Sequence, residues 1–121
     1  MGKFSFHKGE RLKKEKLIQE LFTKGSSFNL YPFRIVYLPN PQEEPFHQAL
    51  FSASVKAYKR AVDRNKIKRR SREAYRLQKS QLNETPRLLI GFIYTAKEIL
   101  TYEKIALAVK KAIEKLNRAH I

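Results

Sequence analysis

Between Arg64 and Arg76 the chain reads R-N-K-I-K-R-R-S-R-E-A-Y-R, seven cations against one carboxylate. Wound as a helix at about 100° per residue, the segment gathers Arg64, Tyr75, Lys68, Arg72, Asn65, Arg76 and Arg69, in that order, within an arc of roughly 140°. Ala74, Ile67 and Ser71 cluster on a different arc and are the only residues fit to face a core. A fold containing this helix can therefore bury one narrow stripe of it and must leave the cationic side to water or to a polyanion. Arg64, Lys68 and Arg72, at i, i+4 and i+8, repel one another at a cost of about a few tenths of a kcal/mol per pair. Glu73, the one acid in the run, falls outside the arc. Local conflict of this kind tends to mark functional sites. A solvated face is the plain alternative. Against it stand the one-sidedness of the cations and the presence of Asn65 and Tyr75 in the arc, where they could hydrogen-bond or stack on nucleotides. Arginine adds a planar fork for phosphate and can also stack on bases.

The whole chain leans the same way. Twenty-six Lys and Arg against eleven Asp and Glu give 121 residues a formal charge of +15. That excess opposes compaction and attracts polyanions, and each neutralised phosphate releases counterions that strengthen binding. Apolar residues at 42%, with eight Phe and six Tyr, are enough for a modest core, so one compact domain is expected rather than disorder. There is no cysteine, which excludes disulfides, thiolate nucleophiles and Cys-based zinc sites and fits a cytoplasmic protein. The N-terminus lacks an apolar signal region, and no apolar run approaches the roughly 20 residues of a membrane span. A soluble protein with no membrane partner is expected.

Along the chain, Leu17, Ile18, Leu21 and Phe22 recur at helical spacing between Arg11 and Lys24, with Lys13, Lys14 and Lys16 on other faces. Gly25 is placed to end that helix in a left-handed conformation. Phe33 to Leu38 reads as a strand, and Pro39, Pro41 and Pro45 as a loop. From Leu50 to Val55, Phe51, Ala53 and Val55 alternate with Ser52 and Ser54, which predicts a strand with one buried and one wet face. The basic helix is expected from about Asp63. Pro86 punctuates the chain, and the nearly continuous apolar run to Tyr94 suits a buried central strand. Thr101 is a suitable N-cap, with Glu103 well placed against the helix dipole. Ile105, Ala108, Val109, Ala112, Ile113 and Leu116 mark one face of a terminal helix. The order is helix, strands, helix, strand, helix: a single α+β domain.

With Ala61-Val62-Asp63 before it, the basic segment resembles the signature helix of the protein component of bacterial ribonuclease P. Arg11-Leu12-Lys13-Lys14, Phe22, Gly25-Ser26-Ser27 and Phe33 are spaced as in that family's first helix and first strands. The resemblance runs over residues 10–117, leaving 1–9 as an N-terminal extension of a single 1–121 domain. It implies the order α-β-β-β-α-β-α, a fold like the second domain of a small-subunit ribosomal protein, and a left-handed β-α-β crossover that runs against the usual hand. It implies a subunit that binds the ribonuclease P RNA and precursor tRNA, with the RNA and its magnesium removing the 5′ leader. The free protein is expected to be monomeric and to bind no cofactor by itself. Carried over by position, Arg64, Asn65, Lys68, Arg69 and Arg72 face the RNA, with Lys56 and Arg76 at the margins. A cleft between the first helix and the sheet would hold the leader, with Ile18, Phe22 and Val36 at its apolar positions and Ser52 and Ser54 as sugar or phosphate contacts. Ile18 and Val36 depart from the aromatic residues frequent there, and Lys59-Arg60 replaces a frequent Gly-Asn. Tyr37 should point away from the cleft.

The residues give no sign of protein catalysis. His7, His47 and His120 share no spacing pattern, and no zinc constellation is recognisable. Glu10, Glu15 and Glu20 read as charge balance, and Gly2, Gly9, Gly25 and Gly91 form no phosphate-cradling motif. A structural ribosomal protein, a DNA-binding module and a membrane-surface helix are the competing classes. The DNA reading lacks a helix-turn-helix, and the basic helix has too few large apolar residues to insert in a membrane.

Overall fold

The computed structural model describes residues 4–119, so Gly2 and His120 lie outside the described residues. The helices are α1 (Glu15–Lys24), α2 (Ala61–Gln78) and α3 (Tyr102–Arg118). The strands are β1 (Ser26–Leu30), β2 (Phe33–Pro39), β3 (Gln48–Ala53) and β4 (Leu88–Tyr94). One sheet runs in the order β1-β2-β4-β3, antiparallel except for the parallel pair β3–β4 that α2 connects. This is the expected α+β arrangement with its β-α-β crossover.

The apolar run Leu88–Tyr94 is continuous because both faces of its strand are covered. Leu88, Ile90, Phe92 and Tyr94 join Phe33, Ile35 and the buried stripes of α2 and α3 in the main core. Leu89 faces the other way, into a smaller cluster with Val36, Leu12, Leu17 and Leu21 beneath α1. All six residues foreseen on the apolar face of α3 are buried, and Thr101 Oγ1 accepts the Lys104 N–H at 3.3 Å. Burying each of the four larger side chains, Ile105, Val109, Ile113 and Leu116, is worth about 1.5–3 kcal/mol.

Several expectations are corrected. Helix α1 begins at Glu15, because Arg11 bridges to Ala49 and the Leu12 N–H donates to the Ala49 carbonyl at 3.0 Å beside β3. Gly25 is not left-handed, with φ −71° and ψ 157°. It is needed for closeness instead: a Cβ there would lie 2.3 Å from the Leu21 carbonyl oxygen and 2.9 Å from that of Tyr37. Strand β3 stops at Ala53, so Val55 is exposed rather than buried. Ser54 lies beyond the strand, where its Oγ accepts the N–H groups of Lys56 and Ala57 in the turn toward α2. Glu10 does more than balance charge. Although buried, it accepts the His7 N–H at 3.0 Å and pairs with Lys79 at the end of α2.

Candidate nucleic-acid interface

Helix α2 starts at Ala61, two residues before the expected point, and buries Ile67, Ser71, Ala74 and Tyr75. The first three are the foreseen core-facing residues. Tyr75 is a correction: it was placed in the cationic arc but is only 2% exposed. Its ring packs edge-on to Phe6 and Phe51 at 5.9 and 5.8 Å. A tyrosine at the margin of an apolar stripe completes that stripe when an aromatic partner waits beneath, and burial pushes its phenol well up from the ordinary value. Nucleotide stacking by Tyr75 is therefore ruled out.

Arg64, at the same margin, is also drawn inward. Its Nη1 donates to the carbonyls of Tyr58 at 2.8 Å and Lys59 at 2.9 Å, pinning the turn that carries Lys59-Arg60. At the other end, Arg76 grips Glu73 through Nε at 3.0 Å and Nη2 at 2.5 Å, and its Nη1 donates to the Phe4 carbonyl at 2.7 Å. That pair holds the Glu73 carboxyl below its ordinary range and the Arg76 guanidinium above its own, each chiefly through the shared hydrogen bonds. Arg70, on the opposite flank, donates to the Leu100 carbonyl at 2.6 Å and ties α2 to the start of α3. Lys68, Arg69 and Arg72 remain. Among the described residues none of the three has a carboxylate within 4 Å, and exposed Asn65 stands beside them. Lys56 lies exposed in the turn between β3 and α2. The arc is thus held in place at its two ends and open in its middle.

The second surface lies across the sheet. Leu17 and Leu21 of α1 bury, while Ile18 is half-buried and Phe22 remains 46% exposed. Val36 is 2% exposed beneath α1, so it forms the floor of the cleft and offers no face to a ligand. Tyr37 points to the opposite side, as its position in the strand requires. Ser52 pairs in register with Ile93, on the cleft side of the sheet and half-buried like Leu50 and Ile93. Arg34 is exposed on this face too. Leu50, Ile93 and Arg34 were missed from sequence, since only the register of three strands brings them together. Ser54 lies past the end of β3 with its hydroxyl engaged by the turn.

Comparison with known proteins decides the family. Residues 6–117 match the family model for Ribonuclease P. The chain belongs to the ribonuclease P protein family. A ribonuclease P protein component from Porphyromonas gingivalis is 34% identical over 116 residues, covering 91% of this chain and 85% of its own length. That of Dictyoglomus turgidum is 37% identical over 90 residues, covering 74% of this chain and 73% of its own. Among solved structures, the ribonuclease P protein of Staphylococcus aureus superposes with a TM-score of 0.74 at 27% identity, covering 90% of this chain and 95% of that one. The Thermotoga maritima protein shares the fold, with a TM-score of 0.74 at 21% identity over 93% of this chain and 99% of that one. The likeness to ribonuclease P proteins thus extends along nearly the full chain.

Among the described residues no group of three or more His, Cys, Asp or Glu side chains is placed to hold a metal ion. No described helix is long and apolar enough to cross a membrane.

Proposed function

We propose that this chain is the RNA-binding subunit of ribonuclease P, seating the catalytic RNA on α2 and the 5′ leader of precursor tRNA in the cleft beside α1. The observation that carries this is the middle of the α2 arc. Half-buried Lys68 and Arg72 and exposed Arg69 crowd one face with no carboxylate within 4 Å among the described residues, a repulsion that phosphates would relieve. Arg64 and Arg76, bound to carbonyls and to Glu73, act as positioning groups, and the free nitrogens of Arg64 are open to a phosphate at the edge. The half-exposed Phe22 ring, with Ile18 and Ser52, suits a single strand, because stacking on an aromatic face tolerates any base. The endonucleolytic step is assigned to the RNA, whose magnesium would supply metal-assisted phosphate-ester chemistry. The protein contributes binding and orientation. In this reading it works in the cytoplasm, and the free protein is a monomer.

The test is reconstitution with a cognate ribonuclease P RNA at low magnesium and with a precursor tRNA. The protein should raise the rate of leader removal and favour precursor over mature tRNA. No stimulation across magnesium and salt titrations overturns the proposal. Replacing Lys68, Arg69 and Arg72 by Ala should weaken RNA binding far more than replacing Lys24, Lys97 and Lys110, which carry equal charge on other surfaces. Equal losses would mean that net charge alone governs binding.

A further inference from the structure

On the face of the sheet opposite the leader cleft, β1 and β2 carry two aromatic rings that the core does not finish covering. Phe28 and Tyr37 lie on the same side of the antiparallel pair, ring centroids 5.9 Å apart and tilted by 55°. Both are half-buried against the main core. The Tyr37 hydroxyl makes no hydrogen bond among the described residues. The last turns of α3 close over this corner with two exposed cations, Lys115 and Arg118. The Lys115 ammonium stands 4.7 Å from the centre of the Phe28 ring, held by cation–π attraction. Neither cation has a carboxylate partner among the described residues. Together with Ser27 and Ala119 they line a cavity of about 340 Å³, within the size range of small-ligand pockets.

From this corner we infer a second nucleic-acid contact: a platform for one nucleotide of single-stranded RNA, with the base against Tyr37 and Phe28 and the phosphate between Lys115 and Arg118. The chemistry is specific to that ligand class. Rings alone would suit any apolar partner and cations alone any anion, whereas a stacking face beside unpaired cations suits a base joined to a phosphate. The free Tyr37 hydroxyl adds a donor and acceptor at the rim, where a base edge or a ribose hydroxyl would meet it. Lys111 lies one turn before Lys115 on the same exposed side of α3, so a strand leaving the platform meets another cation. The site is separate from both surfaces already described. It shares no residue with α2, and the sheet itself stands between it and Phe22.

Titration with single-stranded hexa-adenylate, read by the ring resonances of Phe28 and Tyr37, tests the inference. The protein used carries Lys68→Ala, Arg69→Ala and Arg72→Ala, so the α2 face contributes little. Saturable upfield shifts of both rings are expected with hexa-adenylate, and no comparable shifts with inorganic pyrophosphate. The double variant Lys115→Glu/Arg118→Glu, both exposed positions, should raise the half-saturating concentration by about tenfold or more, on the scale of a few lost phosphate contacts. Tyr37→Leu should raise it by about tenfold, the size of one lost base–aromatic stack, with the fold checked by the unchanged resonances of Phe92. Unmoved rings, equal shifts with pyrophosphate, or an unaltered midpoint in the double variant would each overturn it. Failure here leaves the precursor-tRNA reconstitution unaffected, since that assay reads α2 and the cleft.

Discussion

Glu73 is the counter-charge that occupies Arg76, and replacing it by Gln should make this protein bind ribonuclease P RNA more tightly. In the folded chain the Arg76 guanidinium spends two of its nitrogens on that carboxylate, at 3.0 and 2.5 Å, while Lys68, Arg69 and Arg72 have no ion-pair partner among the described residues. Each phosphate neutralised contributes roughly 0.7–0.9 to the slope of log K against log salt. Removing Lys68, Arg69 and Arg72 should therefore flatten the slope by about 2–3. Over the fourfold rise from 50 to 200 mM salt, that flattening should narrow the affinity gap between parent and triple variant by roughly 20–40-fold. Glu73→Gln should steepen the slope by up to about one, as Arg76 gains a phosphate in place of its carboxylate. Filter binding or fluorescence anisotropy at four or five salt concentrations reads both slopes. An unchanged slope in the triple variant, or weaker binding in Glu73→Gln, would refute this division of the arc into free and occupied cations.

The two glycines beside α1 should respond oppositely to alanine. At Gly25 the new Cβ would collide with two backbone carbonyls, so Gly25→Ala should cost about 1–3 kcal/mol in denaturant unfolding. At Gly91 its nearest neighbours would be Leu21 Cδ2 at 3.5 Å and Leu50 Cδ1 at 3.7 Å, so Gly91→Ala should be neutral or stabilising by up to about 1 kcal/mol. His47 should make stability fall with acid. Its Nδ1 accepts the Leu88 N–H at 2.9 Å and its Nε2–H donates to the Asn83 carbonyl at 2.8 Å, a tautomer with no place for a second proton. Burial, first, lowers its pKa from the ordinary 6.5. The unfolded chain therefore takes up a proton that the native state refuses, and stability present above about pH 6.5 is lost as pH falls toward the lowered folded value. His47→Asn, which can still accept from Leu88, should flatten that dependence in melts between pH 7.5 and 5.5, and an unchanged slope would contradict the assignment. Phe22→Ala should weaken precursor tRNA binding by about tenfold relative to mature tRNA while shifting stability by no more than about 0.5 kcal/mol. Equal effects on both tRNAs would remove Phe22 from the leader site.

Much of the fold was legible because its signals are periodic. The stripe from Ile105 to Leu116, the Thr101 cap and the continuous strand from Leu88 each have one structural solution, and the order of elements follows from them. Strand β1 was not legible from its residues, since Ser26–Leu30 carries little alternation and owes its place to the register with β2. Glu10 and Lys79 lie far apart in sequence and meet only because the chain before α1 folds back past the end of α2. At the site, a helical wheel finds the side of α2 that carries charge but not where the core begins. That boundary is set by Phe6 and Phe51, which claim Tyr75, and by the carbonyls of the preceding turn, which claim part of Arg64. Val36 is a similar case: alternation places it on the cleft side of β2, and only the close seating of α1 over Gly25 buries it.

The absence of cysteine permits the most direct test of the claim that the outer face of α2 meets RNA. Val62 is 54% exposed at the start of that helix, and a single cysteine there can carry a tethered iron chelate that cuts nearby nucleic-acid backbone. In the assembled ribonucleoprotein, the probe at Val62→Cys should cleave a few discrete positions of the ribonuclease P RNA, and the same probe at Lys110→Cys should leave those positions intact. Identical cleavage patterns from the two sites, or none from Val62→Cys in a complex that is fully assembled, would contradict the account.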